Sequence, residues 1–368
     1  MEIVHVDSKA LTTDFVELPY SVYAKSPHFV PQLRADEYKK ITPAKNPFYE
    51  HAQIAMWLAK RDGRTTGRVA AIHDDLHDKT HNERVTWFGF FEAEDRETTA
   101  ALLAKVEAQG RAWQSTCVRG PANPSLNESA GLLVDAFDQD PVLLMPYNPP
   151  EYGAYIEAAG YAKVKDLLAW QVDVTEANER IQKVADRALR RNGITIRTVD
   201  MKRFDAELAL MTKIYREAWV DNWGFVPPTD AEVRHTAHDL KPIIDPRMVI
   251  FAEMNGKTVG VAVTVPDANQ VLKKMNGRLL PFGIFHFLRK KSIIDGLRLI
   301  LLGVIPEARN VGLYPLLIAQ SHHNAVLGGY RVAELSWTLE DNVQINAGIE
   351  ATGGRRYKTY RVYEKSLG

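Results

Sequence analysis

The run L-I-L-L-G-V-I-P-E-A-R-N-V-G-L-Y-P-L-L-I-A occupies residues 299–319 and decides the fold of this chain. Residues 300–304 are branched or apolar apart from one glycine, which is typical of a buried strand. Pro306 ends that strand, Gly312 can take a positive φ, and apolar residues from Leu313 onward recur at helical spacing. The run therefore predicts a strand, a tight turn and a helix, in that order.

A turn of this kind is suited to binding an anion. Free backbone N–H groups and the positive end of the helix dipole meet at one spot beyond the sheet, and phosphate is the ligand that such a spot favours. Arg309 adds a full positive charge. The run contains neither G-x-x-x-x-G-K-[ST] nor G-x-G-x-x-G, so neither of those nucleotide fingerprints applies. A purely structural role for the same strand, proline and glycine is the alternative, because many α/β proteins contain such a turn.

The turn also resembles the acyl-CoA loop of the GNAT acyltransferase superfamily, V-x-P-x-x-[QR]-x-x-G-x-[GA]. Tyr314 departs from that pattern, because the family has a small residue at this position. The resemblance implies acetyl-CoA or another acyl-CoA as co-substrate, without a metal ion. The residues expected to bind it are Val304, Pro306, Arg309, Asn310, Val311, Gly312 and Leu313.

Length and composition narrow the function classes. The chain has 368 residues, which favours two domains, and its 46 basic residues balance 46 acidic ones. A neutral chain gives no broad electrostatic case for a nucleic-acid partner or an anionic membrane surface. The sequence shows no secretory signal and no run long enough to span a membrane, so we expect a cytoplasmic protein. The single Cys117 excludes an internal disulfide and a cysteine-rich metal site, and we expect it to be a small buried residue.

The sequence repeats itself at an offset of 193 residues. D-G-R-T-T-G at residues 62–67 returns as N-G-K-T-V-G at 255–260, and I-E-A-A-G at 156–160 returns as I-E-A-T-G at 349–353. Blocks in one order at one spacing indicate two copies of a domain. The predicted ranges are 1–174 and 194–368, joined by a connecting helix over 175–193.

Both copies predict the same order of elements, a first strand, helices, a hairpin, then a strand, a long helix and a closing strand. This order is similar to that of the GNAT fold. We therefore expect an α/β protein made of two tandem GNAT-like domains, each with a mixed, mostly antiparallel sheet flanked by helices.

The first copy differs at the turn that corresponds to the anion site. Arg96 matches Arg309, but Thr99 replaces the glycine. Acidic side chains crowd this turn and would compete with phosphate for the helix N-terminus: Glu92, Glu94 and Asp95. We expect this copy to be degenerate, and either to support the second copy or to shape its acceptor pocket.

A second segment also resembles the family, in the region with the pattern N-x-x-A-x-x-x-Y-x-x-x-G-[FY]. Asn342 and Gly353 are in register, and Asn342 is therefore an expected cofactor contact. Ile349 stands where many members have the tyrosine that protonates the thiolate of CoA. Tyr357 is the candidate for this role and Tyr360 an alternative, although both are also ordinary strand aromatics.

Amine acylation also needs a base, because the attacking amine must be neutral. Glu334 is the candidate, and strand alternation places it on the same face as Ser336. A structural or solvated carboxylate is the alternative. Backbone N–H groups near Val304 can stabilise the oxyanion.

The acceptor site is the least defined part of the sequence. Trp219, Trp223 and Phe225 are candidates for its wall, and they equally suit a domain core. The apolar insert at 279–291 ends in Arg-Lys-Lys and suits an acyl-chain sheath, a lipid interface or packing between the copies.

We therefore expect an acyltransferase, of the N-acetyltransferase type, that moves an acyl group from acyl-CoA to an amine. The acceptor is a small molecule or a lipid-like compound, attacked directly in a ternary complex by a monomer or homodimer. Two alternatives remain: a non-catalytic protein that binds acyl-CoA or another ligand, and a Fem-like aminoacyl transferase. The balanced charge argues against the tRNA that a Fem-like enzyme needs.

Overall fold

The computed structural model describes residues 1–175, 179–191 and 193–368. Two compact units are present. Unit 1 comprises Met1–Leu167, Leu272–Leu288 and Lys358–Gly368, and unit 2 comprises Leu168–Val271 and Arg289–Tyr357.

The elements up to the connecting segment are, in chain order, β1 (Glu2–His5), α1 (Lys9–Val22), α2 (Arg34–Lys40), β2 (Ala52–Arg61), β3 (Arg64–Asp74), α3 (Asp75–His81), β4 (Val85–Ala93), α4 (Arg96–Ala112), β5 (Cys117–Gly120), β6 (Leu132–Leu133), α5 (Tyr152–Ala158) and β7 (Ala162–Asp173). The elements that follow are α6 (Glu179–Arg191), β8 (Ile194–Thr198), α7 (Phe204–Trp219), α8 (Asp230–Leu240), β9 (Val249–Met254), β10 (Lys257–Pro266), α9 (Asn269–Met275), α10 (Gly283–Leu288), α11 (Lys290–Ile293), β11 (Gly296–Val304), α12 (Leu313–Gly328), β12 (Val332–Leu339), α13 (Val343–Ala351) and β13 (Arg355–Ser366). Short 3-10 helices occupy Pro47–Glu50, Met201–Arg203, Pro246–Met248 and Pro306–Val311.

The repeated order of elements is confirmed, and the two hairpins show its physical basis. Asp62 and Gly63 connect β2 to β3 with φ of 53° and 77°, and Asn255 and Gly256 connect β9 to β10 with φ of 53° and 76°. Two successive residues with positive φ match the right-handed twist of the flanking strands, and Asp-Gly and Asn-Gly adopt this turn most readily.

Unit 1 contains the strand order β1-β2-β3-β4-β5-β13. The pairs are antiparallel except β4 with β5, which is parallel. Helix α4 packs on this sheet, and Phe88, Leu102, Leu103 and Val106 are fully buried in the core between them. An antiparallel hairpin followed by one parallel strand is the mixed sheet that the sequence predicts.

Unit 2 contains the strand order β12-β11-β10-β9-β8. Strands β11 and β12 are parallel, and their ladder runs from Gly296 beside Val332 to Leu299 beside Leu335. Beyond that pair β11 continues to Val304 and β12 continues to Leu339, so the two strands separate after pairing at one end. The sheet is therefore open between β11 and β12 on the side of the turn that follows β11.

The compact units do not coincide with the predicted domain ranges. The last strand, β13, pairs with β5, with Tyr363 beside Gly120, so the end of the chain belongs to unit 1. The ranges 1–174 and 194–368 come from the repetition in the sequence, and two repeated domains with these bounds remain a prediction. The predicted connecting helix contains α6, and its residues 176–178 and 192 lie outside the described residues.

Candidate functional site

The predicted strand, turn and helix over residues 299–319 are present in unit 2. Val304 is buried at the end of β11, and Pro306, Arg309, Asn310 and Val311 lie in the 3-10 helix that follows. Gly312 has a φ of 84° and precedes α12 without any side-chain cap. In the first turn of α12, Leu313 and Tyr314 supply backbone N–H groups of the kind that bind anions, whereas Pro315 has none and the Leu316 amide donates to Gly312.

Arg309 connects this turn to the end of α7. Its Nη2 donates a hydrogen bond to the carbonyl oxygen of Ala218 at 3.2 Å, and the side chain is exposed. A guanidinium has five N–H donors in a fixed planar arrangement, so this one bond leaves donors that can face an anion. Arg309 is thus both anchored and accessible.

Tyr314, the departure from the GNAT pattern, lies close to the end of β11. Burial raises the pKa of Tyr314, while Arg309 and a hydrogen bond with the backbone of Val304 act in the opposite direction. The phenol therefore folds back toward the strand.

A group of polar side chains occupies the point where β11 and β12 separate. This carboxylate cluster consists of Arg298, Glu334, Ser336 and Tyr357, and the first three are buried. Arg298 and Glu334 are neighbours in the register of β11 and β12. Glu334 is 3% exposed, and Tyr357 on β13 is half-buried, so the cluster reaches the surface through the tyrosine.

Both oxygens of the Glu334 carboxylate accept hydrogen bonds. The Ser336 hydroxyl donates to Oε1 and the Tyr357 hydroxyl donates to Oε2. Arg298 in turn holds the serine, because its Nε donates to Ser336 Oγ at 2.9 Å and its Nη2 donates to the Ser336 carbonyl at 3.3 Å. A buried carboxylate needs such partners, and this one is fixed in position next to a hydroxyl that carries a proton.

The structure therefore brings together the two side chains that the sequence analysis selects separately as base and acid, Glu334 and Tyr357. Tyr360, the alternative, is fully buried in unit 1. Arg298 is the residue that sequence reasoning missed. The signal for it was an arginine inside an otherwise apolar strand, since a buried guanidinium requires a buried acceptor.

The second family-like segment has mainly structural contacts. Asn342 is the N-cap of α13, and its side-chain oxygen accepts a hydrogen bond from the Ile345 amide at 3.3 Å. Ile349 is buried and packs against Leu168 and Trp170. The family's tyrosine position is thus part of the core here.

The aromatic residues proposed for the acceptor wall lie near the end of β11. Tyr215 contacts both Trp219 and Phe225, with ring centroids 5.1 and 5.2 Å apart. A Cβ on Gly303 would lie 2.5 Å from Trp219 Cζ3, so the indole rests directly on the backbone of the strand. Phe225 is buried, and Trp219 and Trp223 are half-buried; of the three, Trp219 is the one with the contact to β11 just described.

The corresponding turn of the first copy has its helix N-terminus occupied by its own side chain. Asp95 caps α4 by accepting from the Thr98 amide at 2.8 Å, and Arg61 binds the same carboxylate at 2.9 Å. Hydrogen bonding from Arg61 lowers the pKa of Asp95 to about 2, so the carboxylate stays ionised. Thr99 is fully buried. Of the three acids expected to crowd this turn, Asp95 caps the helix and Glu94 is paired with Arg64, whereas Glu92 is buried and accepts from Tyr23 and Tyr152, so that part of the expectation is wrong. That this copy does not bind CoA remains a prediction.

Within the part of the chain that the structure describes, no group of three or more His, Cys, Asp or Glu side chains is arranged to bind a metal ion. Cys117 is buried, and burial raises the pKa of its thiol to about 12. Among the described residues, none of the helices combines the length and apolar character needed to cross a bilayer.

Comparison of the sequence with known proteins shows the family to which the chain belongs. No protein-family model matches the sequence. The chain is 36% identical to a protein named bacterial ceramide synthase from Caulobacter vibrioides, over 100% of this chain and 98% of that protein. The chain belongs to the bacterial ceramide synthase family. It is also 32% identical to Protein YghO of Escherichia coli, over 96% of this chain and 92% of that protein.

Solved structures show the fold of this ceramide synthase family member. A tandem GNAT protein from the clavulanic acid biosynthesis pathway superposes with a TM-score of 0.60, over 100% of this chain and 98% of that one, at 12% identity. The predicted tandem GNAT fold is thereby confirmed. The fold and the name of the Caulobacter relative together support an acyltransferase.

Proposed function

We propose that this protein is an N-acyltransferase that transfers an acyl group from acyl-CoA to a long-chain amine. The observation that carries the proposal is the buried Glu334 carboxylate, which accepts a hydrogen bond from Tyr357 where β11 and β12 separate. A fixed carboxylate next to a phenolic hydroxyl can accept one proton and supply another.

The residues at the turn fit the diphosphate of CoA. Gly312 turns the chain with a positive φ, the first turn of α12 has no side-chain cap, and Arg309 is exposed beside it. From Val304 back to Leu299, where the strands separate, β11 advances by five residue steps, or roughly 17 Å at the rise of a strand. An extended pantetheine arm can cover such a distance, and this match supports a donor whose reacting end lies near the carboxylate cluster.

Bound acyl-CoA supplies a thioester whose carbonyl is open to attack and whose thiolate is the leaving group. Glu334 removes a proton from the ammonium group of the acceptor, and the neutral amine forms the new C–N bond at the thioester carbonyl. Tyr357 gives its hydroxyl proton to the sulfur as the C–S bond breaks and regains one from Glu334 through their shared hydrogen bond. The ionised Glu334 then accepts the second proton of the nitrogen, which leaves the amide, and releases that proton to solvent. Arg298 and Ser336 hold the carboxylate in place without contacting the reactants.

The relative's name supports a long-chain acceptor. A ceramide is a sphingoid base with an acyl group on its amine, and the Caulobacter relative is named as a synthase of that product. At 36% identity over the whole chain, we extend the class of acceptor, a long-chain amine with neighbouring hydroxyl groups, to this protein. Trp219, with Trp223 and Phe225, is proposed as its apolar wall.

The test is a reaction with purified protein. Sphinganine and, separately, a short amine are incubated with acetyl-CoA or palmitoyl-CoA, while a thiol reagent follows CoA release and mass spectrometry detects the amide. The proposal predicts amide formation with sphinganine and much less with the short amine. Acylation of the short amine alone would overturn the acceptor class. Binding of acyl-CoA without amide formation from any pair would instead show a non-catalytic ligand-binding protein.

A further inference from the structure

An exposed apolar patch lies in unit 1, outside the proposed active site. Its members are Leu280, Phe282, Phe285 and Leu288, which are 69%, 75%, 62% and 73% exposed. The last three follow one another at intervals of three residues, so they lie along one side of the turn and of α10. Soluble proteins rarely expose several large apolar side chains side by side unless that surface has a partner.

The backbone under the patch is held firmly. Gly277 accepts a hydrogen bond from the Arg34 amide at 3.2 Å, and Arg34 Nη1 donates to the Asn276 carbonyl at 3.3 Å. Gly283 is buried, and a Cβ there would lie 2.1 Å from the carbonyl oxygen of Arg278. The apolar side chains therefore project outward from a packed base.

The sequence around the patch is basic, which favours an anionic partner. Residues 273–291 contain no acidic residue, in a chain whose total charge is zero. Three basic residues precede the patch within unit 1, and of these Lys273 is paired with Asp140 while Lys274 and Arg278 are exposed. Three more follow directly in the sequence, Arg289, Lys290 and Lys291. Apolar side chains that enter the acyl region, bordered by basic ones at the headgroups, are the combination that binds anionic bilayers.

We propose that the patch of Leu280, Phe282, Phe285 and Leu288 docks this protein reversibly on the surface of an anionic lipid bilayer. Membrane binding through this patch does not require acyl transfer. Binding uses only the apolar side chains of the patch, which enter the acyl region, and the basic side chains at the headgroups. It would bring the protein to the place where long-chain compounds are dissolved.

The first test is flotation of the full chain with vesicles of phosphatidylcholine alone or mixed with phosphatidylglycerol. The wild type is expected to float with the anionic vesicles, less so at high salt, because exposed charges are screened. Phe282→Ser with Phe285→Ser should reduce the bound fraction by about tenfold or more. The matched control is Val326→Ser with Leu327→Ser, which removes two other exposed apolar side chains and should bind as the wild type does.

A second measurement does not depend on a loss of binding. Cys117 is buried with a raised thiol pKa, so Phe285→Cys can be labelled selectively with an environment-sensitive dye. Emission should shift to shorter wavelength on addition of anionic vesicles, and Leu327→Cys should show no shift. The proposal is overturned if neither the wild type floats nor the dye at Phe285→Cys responds. It is also overturned if sedimentation without lipid shows a dimer that Phe282→Ser with Phe285→Ser converts to monomer, because the patch would then bind a second copy of the chain.

Discussion

Replacement of Glu334 by glutamine tests the proposed chemistry most sharply, because glutamine keeps the shape of the side chain and cannot accept the acceptor's proton. General-base catalysis contributes about 10²- to 10⁴-fold to a rate. We therefore expect Glu334→Gln to lower kcat/KM for amide formation by at least about 10²-fold. Binding of CoA should be unchanged, since the turn proposed to bind it lies at the other end of β11.

The same change has a structural cost that must be separated from the catalytic effect. The carboxylate accepts from two hydroxyls, of Ser336 and Tyr357, whereas glutamine offers one oxygen and an NH₂ group. One hydroxyl then faces a donor and must reorient inside a buried cluster. A cost of about 1–3 kcal/mol in the free energy of unfolding follows.

Unit 1 provides a matched control for that cost. Glu92 is also buried, and its Oε2 accepts from two hydroxyls, those of Tyr23 at 2.7 Å and Tyr152 at 2.8 Å, while Arg68 Nη2 lies 3.7 Å from Oε1. Glutamine can keep its oxygen on both hydroxyls but turns an NH₂ group toward the Arg68 guanidinium, so Glu92→Gln should also lower stability and should leave acyl transfer unchanged. Urea unfolding and initial rates of CoA release are measured for both variants. If folded Glu334→Gln acylates the amine as fast as the wild type, or if both variants lose activity equally, the assignment of Glu334 as base is refuted.

Three further changes test other contacts. Tyr357→Phe removes the hydroxyl that shares a proton with the carboxylate and should lower kcat by about 10²-fold, measured by amide formation. Gly303→Ala places a methyl group against the Trp219 ring and should cost about 1–3 kcal/mol in urea unfolding. Arg61→Met removes the partner that lowers the pKa of Asp95 to about 2. A carboxyl group whose pKa is lowered in the folded state stabilises that state at pH values above its ordinary pKa. Arg61→Met should therefore show a small loss of stability in thermal unfolding at neutral pH, and this loss should disappear as the pH falls through about 2.

Two of these changes have close controls. Tyr360→Phe alters a tyrosine of the same strand that lies in unit 1, and activity should persist. Gly348→Ala adds a methyl group to α13 where nothing lies within 4 Å, so it should be neutral or slightly stabilising. Equal effects of Gly303→Ala and Gly348→Ala would contradict the close contact of Trp219 with β11.

Features set by local chemistry could be predicted from the sequence. Asp62-Gly63 and Asn255-Gly256 determine their hairpins because few residues tolerate two successive positive φ values. Pro306 and Gly312 likewise fix the end of β11 and the start of α12. The repeated order of elements followed from such positions in both copies.

Features that depend on long-range contacts could not be predicted from the sequence. The hydrogen bond between Glu334 and Tyr357 joins residues on two strands, and no spacing in the sequence indicates it. The same is true of β13, whose pairing with β5 brings the end of the chain into unit 1. The apolar residues of β11 predict a buried strand but give no role to Arg298, although a charged residue in such a strand indicates a buried partner.

The central claim is that the turn after β11, and not its counterpart in the first copy, binds acyl-CoA. Titration calorimetry with CoA tests it directly on two equivalent and exposed arginines, Arg309 and Arg96. We predict that Arg309→Glu weakens the affinity for CoA by about tenfold or more, because a charge that attracts the diphosphate becomes one that repels it. Arg96→Glu should bind CoA as tightly as the wild type. Unchanged binding in Arg309→Glu, or a loss confined to Arg96→Glu, would contradict the claim.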